Sequence, residues 1–135
     1  MGIHINKLTA LTLVLLFTQS SFATSAPDAC PAINALKSIG FTSVRQTGDD
    51  TWQALANNYF DTDVEWTFAT GIVHSAANGN DALAKANALL ARLSIDKGPE
   101  KIDDHTWICW YKTPTPSDPI IFALTPADSA VNYIR

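Results

Sequence analysis

The sequence predicts an α+β domain, a mostly antiparallel sheet of about five strands with two helices in the order α-β-β-β-α-β-β. Three observations lead there. Apolar residues recur at helical spacing in two separated segments, and the segments between and after them alternate or are rich in aromatic residues. Short turn signals join neighbouring strands, which favours antiparallel pairing. Few crossovers are left, so the helices fall on one face of the sheet.

Ala29 to Ile39 reads as the first helix, with Cys30, Ile33 and Leu36 on one stripe. Pro31 suits its first turn and Gly40 the position just past its end. Phe41 to Gln46 reads as a strand. Thr47-Gly48-Asp49-Asp50 is a turn signal, and Thr51 to Asn57 reads as the returning strand, although Trp52, Leu55, Ala56 and Tyr59 also fit a helical period. Val64 to His74 alternates, with Val64, Trp66, Phe68, Ile72 and His74 on one parity, and reads as a half-buried strand. Asn78 offers an N-cap, Asp81 and Arg92 suit the two ends of a helix dipole, and Leu83, Ala86, Leu90 and Leu93 form one stripe. Asp81 to Leu93 is therefore the second helix, ended by Lys97-Gly98-Pro99. Thr106 to Lys112 is an aromatic strand, Pro114, Pro116 and Pro119 make a stiff loop, and Ile120 to Leu124 is the last strand. Asp128 to Arg135 carries weak signals. The chain has no internal sequence repeat.

The amino terminus reads as an export signal. Lys7 gives a positive start, Leu8 to Phe17 is an apolar run, and Ser21-Phe22-Ala23 is a signal-peptidase pattern. A run of about ten apolar residues is too short for a bilayer core of roughly 30 Å, so residues 1–23 are expected to be cleaved rather than to anchor the chain. Thr24 to Arg135 is then a single exported domain, periplasmic or secreted. Cys30 lies too far beyond the apolar run to be a lipid-attachment site. The chain has 9 Lys+Arg against 13 Asp+Glu, a net charge of −4, and losing Lys7 makes the mature part more negative still. That balance argues against nucleic acid and against an anionic membrane as the main partner. It leaves the oligomeric state open.

The two cysteines, Cys30 and Cys109, are expected to pair in an oxidising compartment. Two unrelated buried thiols are the plainer alternative. A Cys30–Cys109 bond closes a loop of about 80 residues, worth on the order of 4 kcal/mol in the chain-entropy model. No hydrolase, zinc-protease, P-loop or dinucleotide motif is present, and the chain reads as a non-enzyme. Pairing the cysteines also removes the ligands a structural zinc site needs.

The densest group of unusual residues is Asp103 to Tyr111. His105, Trp107, Cys109 and Tyr111 share one parity, Ile108 and Trp110 the other. Core packing around a disulfide explains these aromatics without any ligand. His105 and His74 read most simply as a solvated loop histidine and a satisfied strand-end histidine.

Cys-Pro-Ala at 30–32, the Val64–Gly71 strand (VEWTFATG) and Trp-x-Cys-Trp-Tyr at 107–111 resemble the small secreted hemin-binding protein (Hbp) family of Gram-negative bacteria. The likeness spans Cys30 to Lys112. It implies a non-enzymatic protein outside the cytoplasm that binds haem, and it carries over no coordinating residue. The candidates come from this chain's own chemistry. One axial His or Tyr and apolar walls suffice for haem. His105 stands first, with Trp107 and Tyr111 as stacking surface; the Tyr111 phenolate is second and His74 third. Asp103 and Asp104 count against His105, because they repel haem propionates. The alternative is an exported protein-interaction module or inhibitor with no cofactor, binding a partner through the aromatic strand or the Pro114–Pro119 loop.

Overall fold

The structure, a computed structural model, describes residues 25–128. The expected signal peptide, residues 1–23, and the tail beyond Asp128 lie outside the described residues.

The first helix, α1 (Ile33–Ile39), starts later than Ala29 because the chain through Pro31 and Ala32 is still extended. It stops at Gly40, whose φ of 71° suits glycine; the Gly40 N–H donates to Leu36 O at 2.7 Å. The strands β1 (Ser43–Gln46) and β2 (Trp52–Asn58) form the expected hairpin, with Gln46 opposite Trp52. The helical alternative for β2 loses because alternate residues are buried: Ala54 and Ala56 pack inward beneath the helices.

In β3 (Trp66–Thr70) every residue is buried. It is shorter than Val64–His74. The Thr70 hydroxyl accepts the Ala54 N–H and donates to Gly71 O, and beyond it only Val73 bridges back to Trp52. The second helix, α2 (Gly79–Ala88), opens as its sequence predicts, with the Asn78 side chain accepting from Asp81 N–H and Asp81 accepting from Ala77 N–H. It tightens into a 3-10 turn over Leu89–Arg92. Its Asn87 side chain clamps both backbone groups of Phe41, tying the two halves together.

Ser94–Lys101 corrects the expected count of five strands. The Lys97-Gly98-Pro99 stretch read as a stop is part of an edge strand, β4, which pairs with β5 (Trp107–Lys112); β6 is Ile121–Thr125. The six strands run antiparallel in the order β1-β2-β3-β6-β5-β4. The elements thus fall into two α-β-β-β halves that meet where β3 pairs with β6, with no matching sequence repeat.

Both helices lie on one face of the sheet. There Leu36, Phe41, Ala86 and Leu90 pack on Ala54, Phe68, Cys109, Tyr111 and Ile121. Phe68 is the hub: Phe41 stacks on it at 4.5 Å, and Phe60 and Tyr111 meet it edge-on at 5.8 and 5.9 Å. Cys30 and Cys109 are bonded, with Cα atoms 5.8 Å apart, within the range a disulfide spans. Gly98 lies against that link. Its φ is +126°, and a Cβ there would stand 2.8 Å from Ile108 O, 2.9 Å from Cys109 Cα and 3.2 Å from Cys30 Sγ. The register of β4 on β5 shifts between Ile95 and Lys97 and again between Lys97 and Glu100, the interval that holds Gly98.

Two stability outcomes are expected. Replacing both Cys30 and Cys109 by Ala lowers unfolding free energy by about 2–5 kcal/mol, the usual loss for a small domain of this kind, measured by urea unfolding without reductant. Gly98→Ala costs about 1–3 kcal/mol through backbone strain, and its close approach to the β5 backbone adds to that. An unchanged urea midpoint for Gly98→Ala would remove the argument for that close packing.

Candidate functional site

The strand β5 divides the predicted residues between the two faces of the sheet. Trp107, Cys109 and Tyr111 point to the helix side; Ile108 and Trp110 point to the rear. Tyr111 is core. It is buried, its hydroxyl donates to Pro31 O at 2.6 Å, and burial holds its phenol above the ordinary value of 10.0. Tyr111 therefore braces the segment next to the disulfide and offers no stacking surface. His105 is exposed in the turn between β4 and β5, where the Ile102 N–H donates to Thr106 O and the His105 N–H donates to the Asp103 carboxylate. His74 is also exposed. It follows β3, whose Thr70 pairs with Ile121, the partner of Tyr111. His74 and His105 thus sit at opposite ends of the sheet, and no single iron could take both.

His74 lines a hollow of about 240 Å³ with Lys85 and Asp118, and Tyr111 lines one of about 250 Å³ with Asp96 and Lys112. Two further concave places are richer in apolar walls or carboxylates. The first is the rear face. Ala69, Ile108, Phe122 and Leu124 form an apolar floor, extended by Leu55 and Trp110, with no described helix over it. A groove of about 260 Å³ runs between Ile102, Trp110, Ile120 and this floor. Ile102 and Ile120 are 41 and 60 % exposed, too much for apolar side chains that only brace a core. Trp110 tilts against Phe122 at 6.1 Å, and its indole N–H donates to Glu100. Lys97 stands opposite Trp110 on the same face. The groove is shallower than an ordinary small-molecule pocket, so it acts as a shelf rather than a cage.

The second is a cavity of about 470 Å³ at the end of the sheet. Tyr59, Trp107 and Pro126 supply its aromatic and apolar walls, and Asp63, Glu65 and Asp128 supply carboxylates. The segment between β2 and β3 is bent to bring Tyr59 and Asp63 there. Phe60 and Asp61 have positive φ, Phe60 is buried as an anchor, and the Thr62 hydroxyl receives the Trp66 indole N–H. Trp107 is half-buried, and Lys101 Nζ lies 5.9 Å from its ring centre. Its own indole N–H is out of solvent contact and has no partner among the described residues.

The described residues contain no cluster of three or more His, Cys, Asp or Glu able to hold a metal ion, and no helix long and apolar enough to cross a membrane. Residues 29–134 match a family model described as a domain of unknown function, DUF4949. The chain belongs to that family. No curated protein and no solved structure matches it. The DUF4949 match covers both α-β-β-β halves, so the shelf and most of the end cavity fall inside the family domain. Its description names no ligand.

Of the candidate residues, Trp107 lines the end cavity, His74 and Tyr111 each line a separate hollow, and His105 lines none of these places, although its turn begins at Ile102 of the shelf. Sequence reasoning did not single out Tyr59, Asp63 and Glu65 as a group, because they converge only through the bend at Phe60 and Asp61.

Tyr111→Phe is expected to destabilise the fold by about 1–3 kcal/mol, because it strands the buried Pro31 carbonyl. The pH dependence has a definite sign. An unfolded phenol ionises near 10.0, while the buried one stays protonated. The Tyr111 contribution is therefore complete below that pH and declines as pH rises above it. Urea unfolding of the two proteins at rising pH should show the gap between them narrowing on the alkaline side.

Proposed function

We propose that this protein is an exported binding protein whose rear shelf takes a flat apolar ligand, with hemin as that ligand. One observation carries the reading. The apolar floor of Phe122, Leu124 and Ile108 has no described layer over it, and the turn holding His105 begins at Ile102, which walls the same groove. A porphyrin needs apolar area for its face and one axial donor at the edge. Phe122, Leu124 and Trp110 supply the area, and the His105 imidazole is the donor. Lys97 offers a cation to a propionate, which offsets part of the repulsion from Asp103 and Asp104. The disulfide supports export, since such bonds persist in oxidising compartments, and the resemblance to secreted hemin-binding proteins supports the choice of ligand.

A second reading rests on the shape of the same surface. A shallow shelf flanked by exposed Ile102 and Ile120 also fits an extended apolar surface of a protein partner, with no cofactor.

Absorbance titration of the purified protein with hemin separates the two. The hemin reading expects saturation near one equivalent with a shifted Soret band. His105→Ala should abolish the shift, and Ile120→Glu should weaken binding by placing a charge on the shelf wall. Tyr111→Phe and His74→Ala should leave the spectrum unchanged. Many equivalents with no defined shift, or a shift that survives His105→Ala, would sink the coordination and leave the partner reading in front.

A further inference from the structure

The floor of the rear shelf is more deeply buried than its described surroundings explain. Ala69 and Leu124 have no exposed surface and Ile108 and Phe122 have little, although no described helix or strand lies over them. Two stretches of the chain lie outside the described residues. The leader, residues 1–23, is expected to be cleaved, and it precedes the family match. The tail, residues 129–135, follows β6 closely, and the match to DUF4949 runs to residue 134. The tail is therefore part of the family domain and the natural source of a cover.

The chain is anchored to the rear face before the tail begins. The Thr67 hydroxyl, which faces the rear beside Asn57, donates to the Ala127 carbonyl at 3.2 Å, just past Pro126. Thr67 is also the pairing partner of Leu124, as Ala69 is of Phe122, and the Gly71 N–H donates to Ile120 O. From Thr67 the Ile120 end of the groove is thus four residues along the sheet, about 13 Å at the rise of an antiparallel strand. Seven extended residues span up to about 25 Å, so the tail can cross the whole floor. Its composition suits that surface. Ala130, Val131, Tyr133 and Ile134 are apolar or aromatic, and none of the seven residues is acidic.

We propose that residues 129–135 dock on the rear shelf, over Leu124, Phe122 and Ile108, and close it when no ligand is bound. A ligand must displace the tail to reach the floor, so its apparent affinity falls with the fraction of molecules in which the tail is seated. A tail seated in about nine molecules of ten lowers that affinity about tenfold. This regulation rests on the shelf being an apolar ligand site. It does not rest on hemin being the ligand.

The experiment has two arms, both on the purified full-length protein. In the first, hydrogen exchange followed by mass spectrometry should find the tail amides about tenfold slower than in a free peptide of residues 129–135. Exchange at the free-peptide rate would overturn the docking. In the second, the fluorescent apolar dye anilinonaphthalene sulfonate is titrated into the unaltered protein and the Tyr133→Asp/Ile134→Asp double variant. The double variant should bind one equivalent of dye about tenfold more tightly. Adding Ile120→Glu should remove that gain, which locates the dye on the shelf. Equal dye binding by the two proteins, or a gain that survives Ile120→Glu, would overturn the proposal. Tail protection that is lost on dilution as a dimer dissociates would overturn it too, and would make a second copy the cover. Neither arm uses hemin, so a failed hemin titration leaves both readouts standing.

Discussion

The covalent link between Cys30 and Cys109 is the constraint around which the rest is arranged. It joins the residue just ahead of α1 to the middle of β5, a strand in the other α-β-β-β half. Three neighbouring features depend on it. Pro31 sits beside it, fully buried, with its carbonyl taken by the Tyr111 hydroxyl. Gly98 passes so close that no side chain fits, which lets the edge strand bend over the sulfurs. Tyr111, fixed by that hydrogen bond, presents its ring edge to Phe68 and so connects the link to the aromatic hub of the core. The first helix of the chain is short, lacks a side-chain cap and would be marginal alone. Tying its start to β5 is what makes its burial cooperative with the sheet.

Much of this arrangement is legible in the sequence, and the legible parts share a cause. Where a segment buries one face, its period is visible: the stripe of α2, the parity of β5 and the Asn78–Asp81 cap all follow from local rules. The pairing of Cys30 with Cys109 is legible because only two cysteines exist. The strand β4 is not legible, for an equally physical reason. Its residues, Ser94 to Lys101, are charged or small apart from Ile95, almost wholly exposed, and include Gly98 and Pro99. An edge strand protected in this way against further pairing has the composition of a loop. The length of β3 was overestimated because alternation continues through Ile72 and His74 after the ladder has ended at Thr70. Tyr111 takes the core-packing place that the aromatic strand predicts, buried against Phe68, and parity alone does not tell that a helix covers that side. The end cavity is invisible to any local reading. Its walls come from the bend before β3, the start of β5 and the end of β6, which only the β3–β6 and β5–β6 pairings bring together.

The sheet has two apolar faces but described helices on only one. In a domain of this size an antiparallel sheet ordinarily turns a polar face to water. Here the strands at the centre, β3, β6 and β5, carry Ala69, Phe122, Leu124 and Ile108 on the rear, while polar residues lie towards the two edges, at Asn57 and Thr67, which hydrogen-bond to each other, and at Lys97 and Glu100 of β4. The apolar surface is thus concentrated over the second α-β-β-β half. The two halves have the same order of elements but different rear surfaces, so the asymmetry lies in side chains and not in backbone plan.

Electrostatics keeps the two concave places distinct. The shelf is apolar, with Lys97 on its rim and carboxylates only in the neighbouring turn and at Glu100, whose side chain is taken by Trp110. The end cavity gathers three unpaired carboxylates. The cavity carboxylates face solvent, whereas the Glu100 carboxylate beside the shelf is engaged by the Trp110 indole. The field of the molecule therefore differs between the two places. Salt also acts unequally on the two: raising ionic strength screens the exposed cavity carboxylates, while the apolar contacts of the shelf are not screened. Charge and hydrophobicity are thus distributed over different parts of one small sheet, the carboxylates at one end and the apolar side chains on the rear face.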